Sequence, residues 1–325
     1  MQRYKRGVNN ILILGGSGFV GRSVCDKLVE RSGGAGGQIV VPSRRPARAK
    51  HLQMLPTLRV VQADVHSAAD LRRLVQGADA VINLVAVLHG SEAEFQRVHV
   101  ELPRQLASAC QAAGVRRVVH VSALGVRDAA PSRYLRSKAA GEAALKDAKL
   151  DLTILRPSVI FGEHDSFTNL FATLQALAPF VPLAGAQARF QPVWVQDVAT
   201  AIVRCLEQPS SIGQIFECAG PEVFTLQQIV EQAGRWAGHQ RRVFGLPDAA
   251  ARAQAFLMEL MPGTPLMSRD NIDSMRVPNV AGGQLPGLAA LGVSASPMAS
   301  VVPAYLSAGR GVARLDSWRA RSRRL

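Results

Sequence analysis

Aromatic side chains are scarce: Phe, Trp and Tyr make up 5% of the 325 residues, and tyrosine occurs only three times. With so few rings the chain has no platform on which bases could stack. No nucleic-acid motif accompanies its basic residues, so nucleic acid is not an expected partner. Acidic residues are also few, 24 against 38 Lys and Arg, which gives a net charge of +14. The arginines are spread along the chain, and only the tail (Arg319, Arg321, Arg323, Arg324) clusters them. That distribution fits a solvated basic surface first, and attraction to an anionic membrane or a membrane-associated partner second. Cys25, Cys110, Cys205 and Cys218 are scattered, with no CxxC and no His pair at ligand spacing. They suggest neither a disulfide frame nor a zinc site, and no metal is expected. No apolar run approaches the roughly 20 residues that a membrane-spanning helix needs, so no transmembrane segment is expected. The charged start resembles that of a signal peptide. The apolar stretch behind it is short and is broken at Gly15-Gly16-Ser17-Gly18, so export is not expected either.

What is present is an alternation. Short β-rich runs at Ile11–Leu14, Ile39–Val41, Leu58–Gln62, Ala80–Leu84, Arg117–Val121 and Leu152–Leu155 are separated by helical stretches. The helices are expected around Ser23–Arg31, Ala69–Val75, Glu94–Ala113 and Ser137–Ala148. This is the pattern of an α/β protein with a doubly wound parallel sheet. After Arg156-Pro157 the alternation fades. Helices are expected over Phe167–Ala178, after Asp197, and over Thr225–Ala237 with Thr225 as cap. The expected organisation is a dinucleotide-binding domain over 8–156, a smaller lobe over 157–306 that can interleave with the sheet, and a basic tail over 307–325. The apolar residues of the lobe (Phe167 to Phe180, then Phe256 to Met261) read as its core, with a lipophilic pocket as the sharper alternative.

The first strand runs straight into Gly15-Gly16-Ser17-Gly18-Phe19-Val20-Gly21, and a helix follows. A side chain at Gly15 or Gly18 would keep a pyrophosphate from the backbone N–H groups at the helix start, and Gly21 lets helix and strand approach. Position next to a first strand makes this triplet far more specific than glycines alone. NAD-preferring sites place an acid about 20 residues past the glycines. Here the second strand ends in Ser43-Arg44-Arg45, and two guanidiniums suit a ribose 2′-phosphate, so NADP(H) is the expected cofactor. Asp64, with Val65 beside it, is placed either to accept from the adenine amino group or to cap the next helix. Leu84, Val85 and Ala86 would lie along the middle of the cofactor, and Pro157 and Ser158 at its far end.

The fifth strand leads into Ser122, and twelve residues later comes Tyr134-Leu-Arg-Ser-Lys138. A spacing of four puts Tyr134 and Lys138 on one helix face. An ammonium there would lower the phenol pKa so that Tyr134 can exchange a proton near neutrality, and Ser122 could polarise a substrate carbonyl.

The glycine turn, Ser122 and the Tyr134…Lys138 pair resemble the short-chain dehydrogenase/reductase superfamily in its extended, atypical branch. More narrowly, the stretches Tyr134–Glu142, Ile154–Gly162, Pro192–Ala199, Leu266–Asp273 and Val302–Leu306 are similar to the nucleotide-binding accessory subunit family of respiratory complex I. Bacterial relatives in that group are described as epimerase/dehydratase-like. The resemblance runs from about residue 8 to about 306. It implies a Rossmann protein that binds NADPH, and a place at the membrane-proximal surface of complex I. The glycine turn begins so early that no transit peptide fits before it, which points to a bacterial chain in the cytoplasm, peripheral at the inner membrane face. Two functions are expected from different classes. One is an NADP-dependent oxidoreductase acting on a carbonyl or alcohol, with a lipophilic quinone-type substrate and a link to complex I or ubiquinone metabolism. The other is a catalytically silent NADPH-binding structural protein of complex I. A sugar nucleotide is a poor fit, since residues 160–270 offer few polar groups for a second nucleotide.

If Arg44 and Arg45 hold a 2′-phosphate, each changed to alanine should lose roughly tenfold in NADPH affinity, the scale of one charge-assisted hydrogen bond. NADH affinity should barely move. Calorimetry with both cofactors checks this, and equal affinities in the unaltered protein would overturn it.

Overall fold

Residues 8–34, 37–263 and 265–307 are described by the structure, a computed structural model; the tail from residue 308 onward lies outside them. Six strands build most of one sheet: β1 (Asn10–Leu14), β2 (Gln38–Ser43), β3 (Leu58–Gln62), β4 (Ala80–Asn83), β5 (Arg117–Val121) and β6 (Asp151–Pro157). A seventh, Ile215–Cys218, pairs parallel with the outer edge of β6. The spatial order from that edge is Ile215–Cys218, β6, β5, β4, β1, β2, β3. Every neighbouring pair is parallel. This is a Rossmann-type doubly wound sheet, and its order reverses between β1 and β4. The crevice for a ligand in such a sheet opens at that reversal, beyond the carboxyl ends of the strands.

β1 shows why the strand is a continuous apolar run. Ile11 and Ile13 join the core on one face with Val24, Leu28 and Ile202. Leu12 and Leu14 join the other with Leu71, Leu106 and Leu145. Both faces are covered by helices, so neither can be polar. The first face is covered by α1 (Phe19–Ser32) and by the helix Val195–Glu207. The second is covered by α2 (Ala68–Val75), α4 (Leu102–Ala113) and α5 (Arg133–Asp147). A short α3 (Glu92–Phe95) and a π-helical segment, Gln96–Glu101, lead into α4. The π turn divides what the sequence suggested was one helix from residue 94.

Other departures from the expected elements have local causes. α5 begins at Arg133 rather than Ser137, because the Ser132 hydroxyl caps it and accepts from Leu135 N–H at 3.2 Å. Asp197 does not open the helix Val195–Glu207. It sits in the first turn, and its carboxylate accepts from the Ser296 N–H and hydroxyl. Thr225 does cap its helix, in a reciprocal pair with Gln228. The strand Ile215–Cys218 had no sequence signal, being four residues long and set among turn residues. The apolar residues of the smaller lobe divide. Phe171 is buried with Phe167 and Leu174 against Leu226 and Val230. Leu177, Phe180, Phe256, Leu257, Leu260 and Met261 are exposed, against the expectation of core.

α5 is tied to β6 by a buried pair. Arg156 donates to both Glu142 oxygens, Nε at 2.9 Å and Nη2 at 2.6 Å. Burial raises the Glu142 carboxyl, but the Arg156 hydrogen bonds, the nearby Ser122 hydroxyl and the Arg156 and Lys146 charges outweigh it and hold the group below the ordinary carboxylate range. Because the folded pKa is depressed, this stability is present above the usual carboxylate range and is lost as pH falls through the lowered value. Arg156→Met leaves Glu142 buried without its forked partner and should cost about 3–5 kcal/mol. Urea denaturation at neutral and acid pH checks it, with the difference between wild type and variant shrinking as the carboxyl protonates.

Candidate functional site

The crevice begins at the β1–α1 turn. Gly15 has φ +81°, a conformation that L side chains rarely adopt, and a Cβ there would stand 3.2 Å from the Leu84 carbonyl carbon. A Cβ on Gly21 would collide with the Gly15 carbonyl oxygen. Gly18 is the N-cap of α1 with no side-chain cap, and the first turn carries no acidic residue. The first bond of the helix joins Arg22 N–H to Gly18 C=O, leaving the N–H groups of Phe19, Val20 and Gly21 without a helical partner. Unsatisfied amides at the positive end of a helix dipole form an anion site. Ser17 is half-buried on the same turn, and Gly16 packs against Val41 on β2.

At the end of β2 the Ser43 hydroxyl accepts from Arg45 N–H at 3.2 Å. The side chains of Arg44 and Arg45 are exposed and make no ion pair among the described residues. After β3, Asp64 does not take the helix-capping place that was one of its two expected roles. Ser67, not Asp64, caps α2. The Asp64 carboxylate accepts from His66 N–H at 3.1 Å in a local turn, with Val65 half-buried between them. After β4, Leu84 N–H donates to Leu14 C=O, and the Asn83 side chain accepts from Val85 N–H. These bonds pin Leu84 and Val85 across from Gly15, while Ala86 is exposed.

α5 carries the two residues expected to exchange the proton. Tyr134 lies in its first turn and Lys138 one turn deeper. The Tyr134 ring rests edge-on against His99, centroids 5.5 Å apart, and against Phe95 at 6.3 Å. Lys138 is 2% exposed and donates from Nζ to the Val121 carbonyl at 2.8 Å. Burial pulls its pKa down to about 8, against the opposing charge of Glu142. The expected lowering of the phenol is corrected here: burial pushes Tyr134 up to about 12, and Lys138, occupied by a backbone carbonyl, does not offset it. Ser122 is on the side of β5 that faces Glu142. Its Oγ is buried without a hydrogen bond of normal geometry, so it is not presented to a ligand in this arrangement. Pro157 accepts from Leu124 N–H through its carbonyl. The Ser158 hydroxyl is spent on Asn279, Oδ1 at 2.7 Å.

Three residues were missed by sequence reasoning. The Asp270 carboxylate accepts from the Arg133 N–H at 2.7 Å and the Tyr134 N–H at 3.1 Å, closing the N-terminus of α5 from across the molecule. Its only sequence signal was the stretch Leu266–Asp273, whose similarity carried no mechanism. Asn279 fixes Ser158 and Val159, and His99 lies buried behind Tyr134. Neither had a local signal, because their partners lie far away along the chain.

The sequence matches the NAD(P)H-binding family over residues 15–209. It is 33% identical over 297 residues to the NADH dehydrogenase [ubiquinone] 1 alpha subcomplex subunit 9 of Mus musculus, covering 88% of this chain and 76% of that one. The chain belongs to this NAD(P)H-binding family, in its complex I subunit branch. Another member of the wider group, the ceramide reductase of Caulobacter vibrioides, is 30% identical over 245 residues, 75% of this chain and 74% of its own. Among solved structures, the NADPH-dependent quinone oxidoreductase of Escherichia coli complexed with NADPH superposes with a TM-score of 0.71 at 21% identity, covering 90% of this chain and 98% of that chain. Likeness at that identity speaks for the fold. The family binds NAD(P)H, and the glycine turn and free amides of α1 fit such a group.

Gly18 offers a clean test of that fit. Its φ of −82° suits any residue, and an added Cβ would have one near neighbour, the Gly15 oxygen at 3.3 Å. Gly18→Val should therefore fold and melt within a few degrees of wild type while losing NADPH binding. Gly21→Val should fail to fold. Tight NADPH binding by folded Gly18→Val would make the turn merely structural.

Proposed function

We propose that this chain is an NADPH-dependent oxidoreductase that reduces a carbonyl of a lipophilic, quinone-type compound, working with respiratory complex I or in ubiquinone metabolism at the inner face of the cytoplasmic membrane. The observation that carries it is the placement of Tyr134 and Lys138 on the face of α5 that meets the carboxyl edge of the sheet, the edge where the α1 cradle opens. A quinone oxidoreductase with the same fold and a relative named as a subunit of complex I support the choice of substrate and partner. Exposed Phe256, Leu257, Leu260, Met261 and Leu266 support a lipophilic neighbour rather than a polar one. Among the described residues no helix is long and apolar enough to cross a membrane.

The residues divide the work as follows. The N–H groups of Phe19, Val20 and Gly21 would hold the pyrophosphate, Ser43, Arg44 and Arg45 the 2′-phosphate, and Asp64 with Val65 the adenine side. Leu84, Val85, Ala86, Pro157 and Ser158 would line the remainder, Ser158 through its backbone, since its hydroxyl is engaged. Bound there, NADPH supplies a hydride to the carbonyl carbon. Tyr134, held protonated by burial, donates its proton to the carbonyl oxygen. Lys138, with a pKa of about 8, would hold the ribose hydroxyls through the N–H groups that its bond to Val121 leaves over. Ser122 would need to turn from Glu142 to polarise the carbonyl.

That last requirement favours a second reading, an NADPH-binding structural protein of complex I. A tightly held ligand stabilises the native state without turnover. Tyr134→Phe separates the two. In the oxidoreductase, removing the hydroxyl should leave fold and NADPH affinity intact and cut quinone reduction by about 100-fold or more, the usual worth of a positioned acid. If a host lacking the gene is rescued equally by wild type and Tyr134→Phe while Gly18→Val fails, the dinucleotide is needed and the chemistry is not.

A further inference from the structure

His99 is 2% exposed and lies in the π-helical segment Gln96–Glu101 between α3 and α4. None of the functional roles above uses it. Its two ring nitrogens have different partners. Nε2 lies 3.1 Å from Val87 N–H and must accept from it, so the ring proton is on Nδ1. Nδ1–H then donates to the Ser137 hydroxyl at 2.8 Å, and that hydroxyl donates to the Tyr134 carbonyl, also at 2.8 Å. A single directional chain therefore runs from the loop after β4 through His99 and Ser137 to the first turn of α5.

Independent features hold the histidine in this place. The π turn is a costly departure from regular helix that recurs at functional sites. α5 presses against this turn so closely that a Cβ on Gly141 would collide with the His99 carbonyl oxygen. The His99 ring also stacks on Phe95 at 5.5 Å and carries the edge of Tyr134. Burial, reinforced by the Lys138 charge, pushes the imidazole down to about 3, so it stays neutral and keeps the tautomer its partners require.

We propose that His99 is a positioning residue that couples the cofactor loop, Leu84–Leu88, to Tyr134. Order imposed on that loop by NADPH passes through Val87 and the imidazole to the phenol-bearing turn. A residue that merely filled space behind Tyr134 would need neither nitrogen. The role in turnover rests on the oxidoreductase reading, whereas the physical coupling does not.

Two near-isosteric variants cut the chain at different ends. Asparagine places its amide near the Nδ1 position and keeps the Ser137 side, losing Val87. Glutamine reaches the Nε2 position and keeps Val87, losing Ser137. With NADPH and ubiquinone-1 as probes, His99→Asn should weaken NADPH binding by about tenfold, the scale of one hydrogen bond to a buried group. It should speed amide exchange in residues 84–88 and leave 133–138 protected. His99→Gln should keep NADPH affinity, lower kcat by about tenfold and speed exchange in 133–138 only. Ser137→Ala, on the half-buried end of the chain, should reproduce the glutamine variant even if changes at His99 unfold the protein. If exchange shifts equally in both segments, or in neither, or if Ser137→Ala leaves residues 133–138 unchanged, the coupling is wrong. If the wild type reduces no quinone, the oxidoreductase reading fails while affinity and exchange still decide the coupling.

Discussion

The position of α5 depends on charge buried where water cannot reach it. Glu142, on the inner face of that helix, lies between Arg156 of β6, the Lys146 ammonium and the buried Lys138. A carboxylate so deeply enclosed is tolerable only with cationic partners of good geometry, and the paired bonds from Arg156 supply it. The pair sets the depth of α5 against the sheet. The depth in turn brings Lys138 to the Val121 carbonyl and leaves Tyr134 at the rim. A hydrophobic contact could slide by a fraction of an ångström, whereas a forked guanidinium cannot.

The sheet was legible in the sequence because its cause is local. A strand covered on both faces must be largely apolar, and Ile11–Leu14 shows this with or without a structure. The glycine turn was legible for a similar reason, since φ +81° at Gly15 and the contact at Gly21 leave no other residue. Thr225 announced its helix through a cap that spans only four residues. The strand Ile215–Cys218 was not legible. Its reason for existing is the open edge of β6, which sequence periodicity does not represent. The same holds for the exposed side of Phe256–Met261: helical spacing makes a stripe visible but not what covers it.

The site was legible in its residue types more than in its electrostatics. Spacing placed Tyr134 and Lys138 on one face, and the helix does so. Spacing could not show that Lys138 donates a hydrogen bond to a backbone carbonyl, or that burial dominates the phenol. Ser122 failed to stand at the rim for a geometric reason. It follows the last residue of β5, and its hydroxyl is buried beside Glu142. Asp270, Asn279 and His99 were invisible because each works through partners that the chain brings in from a distance.

The Asp270 cap also dictates the order in which this chain can mature on a ribosome. The amides of Arg133 and Tyr134 wait for a carboxylate that is synthesised 136 residues after Tyr134. The sheet as far as β6 can assemble while translation proceeds, and the glycine cradle with it. The turn that carries the phenol is completed only when the helix Arg269–Ser274 has emerged and docked. The glycine turn is thus made from neighbouring residues alone, whereas the first turn of α5 depends on a segment made much later.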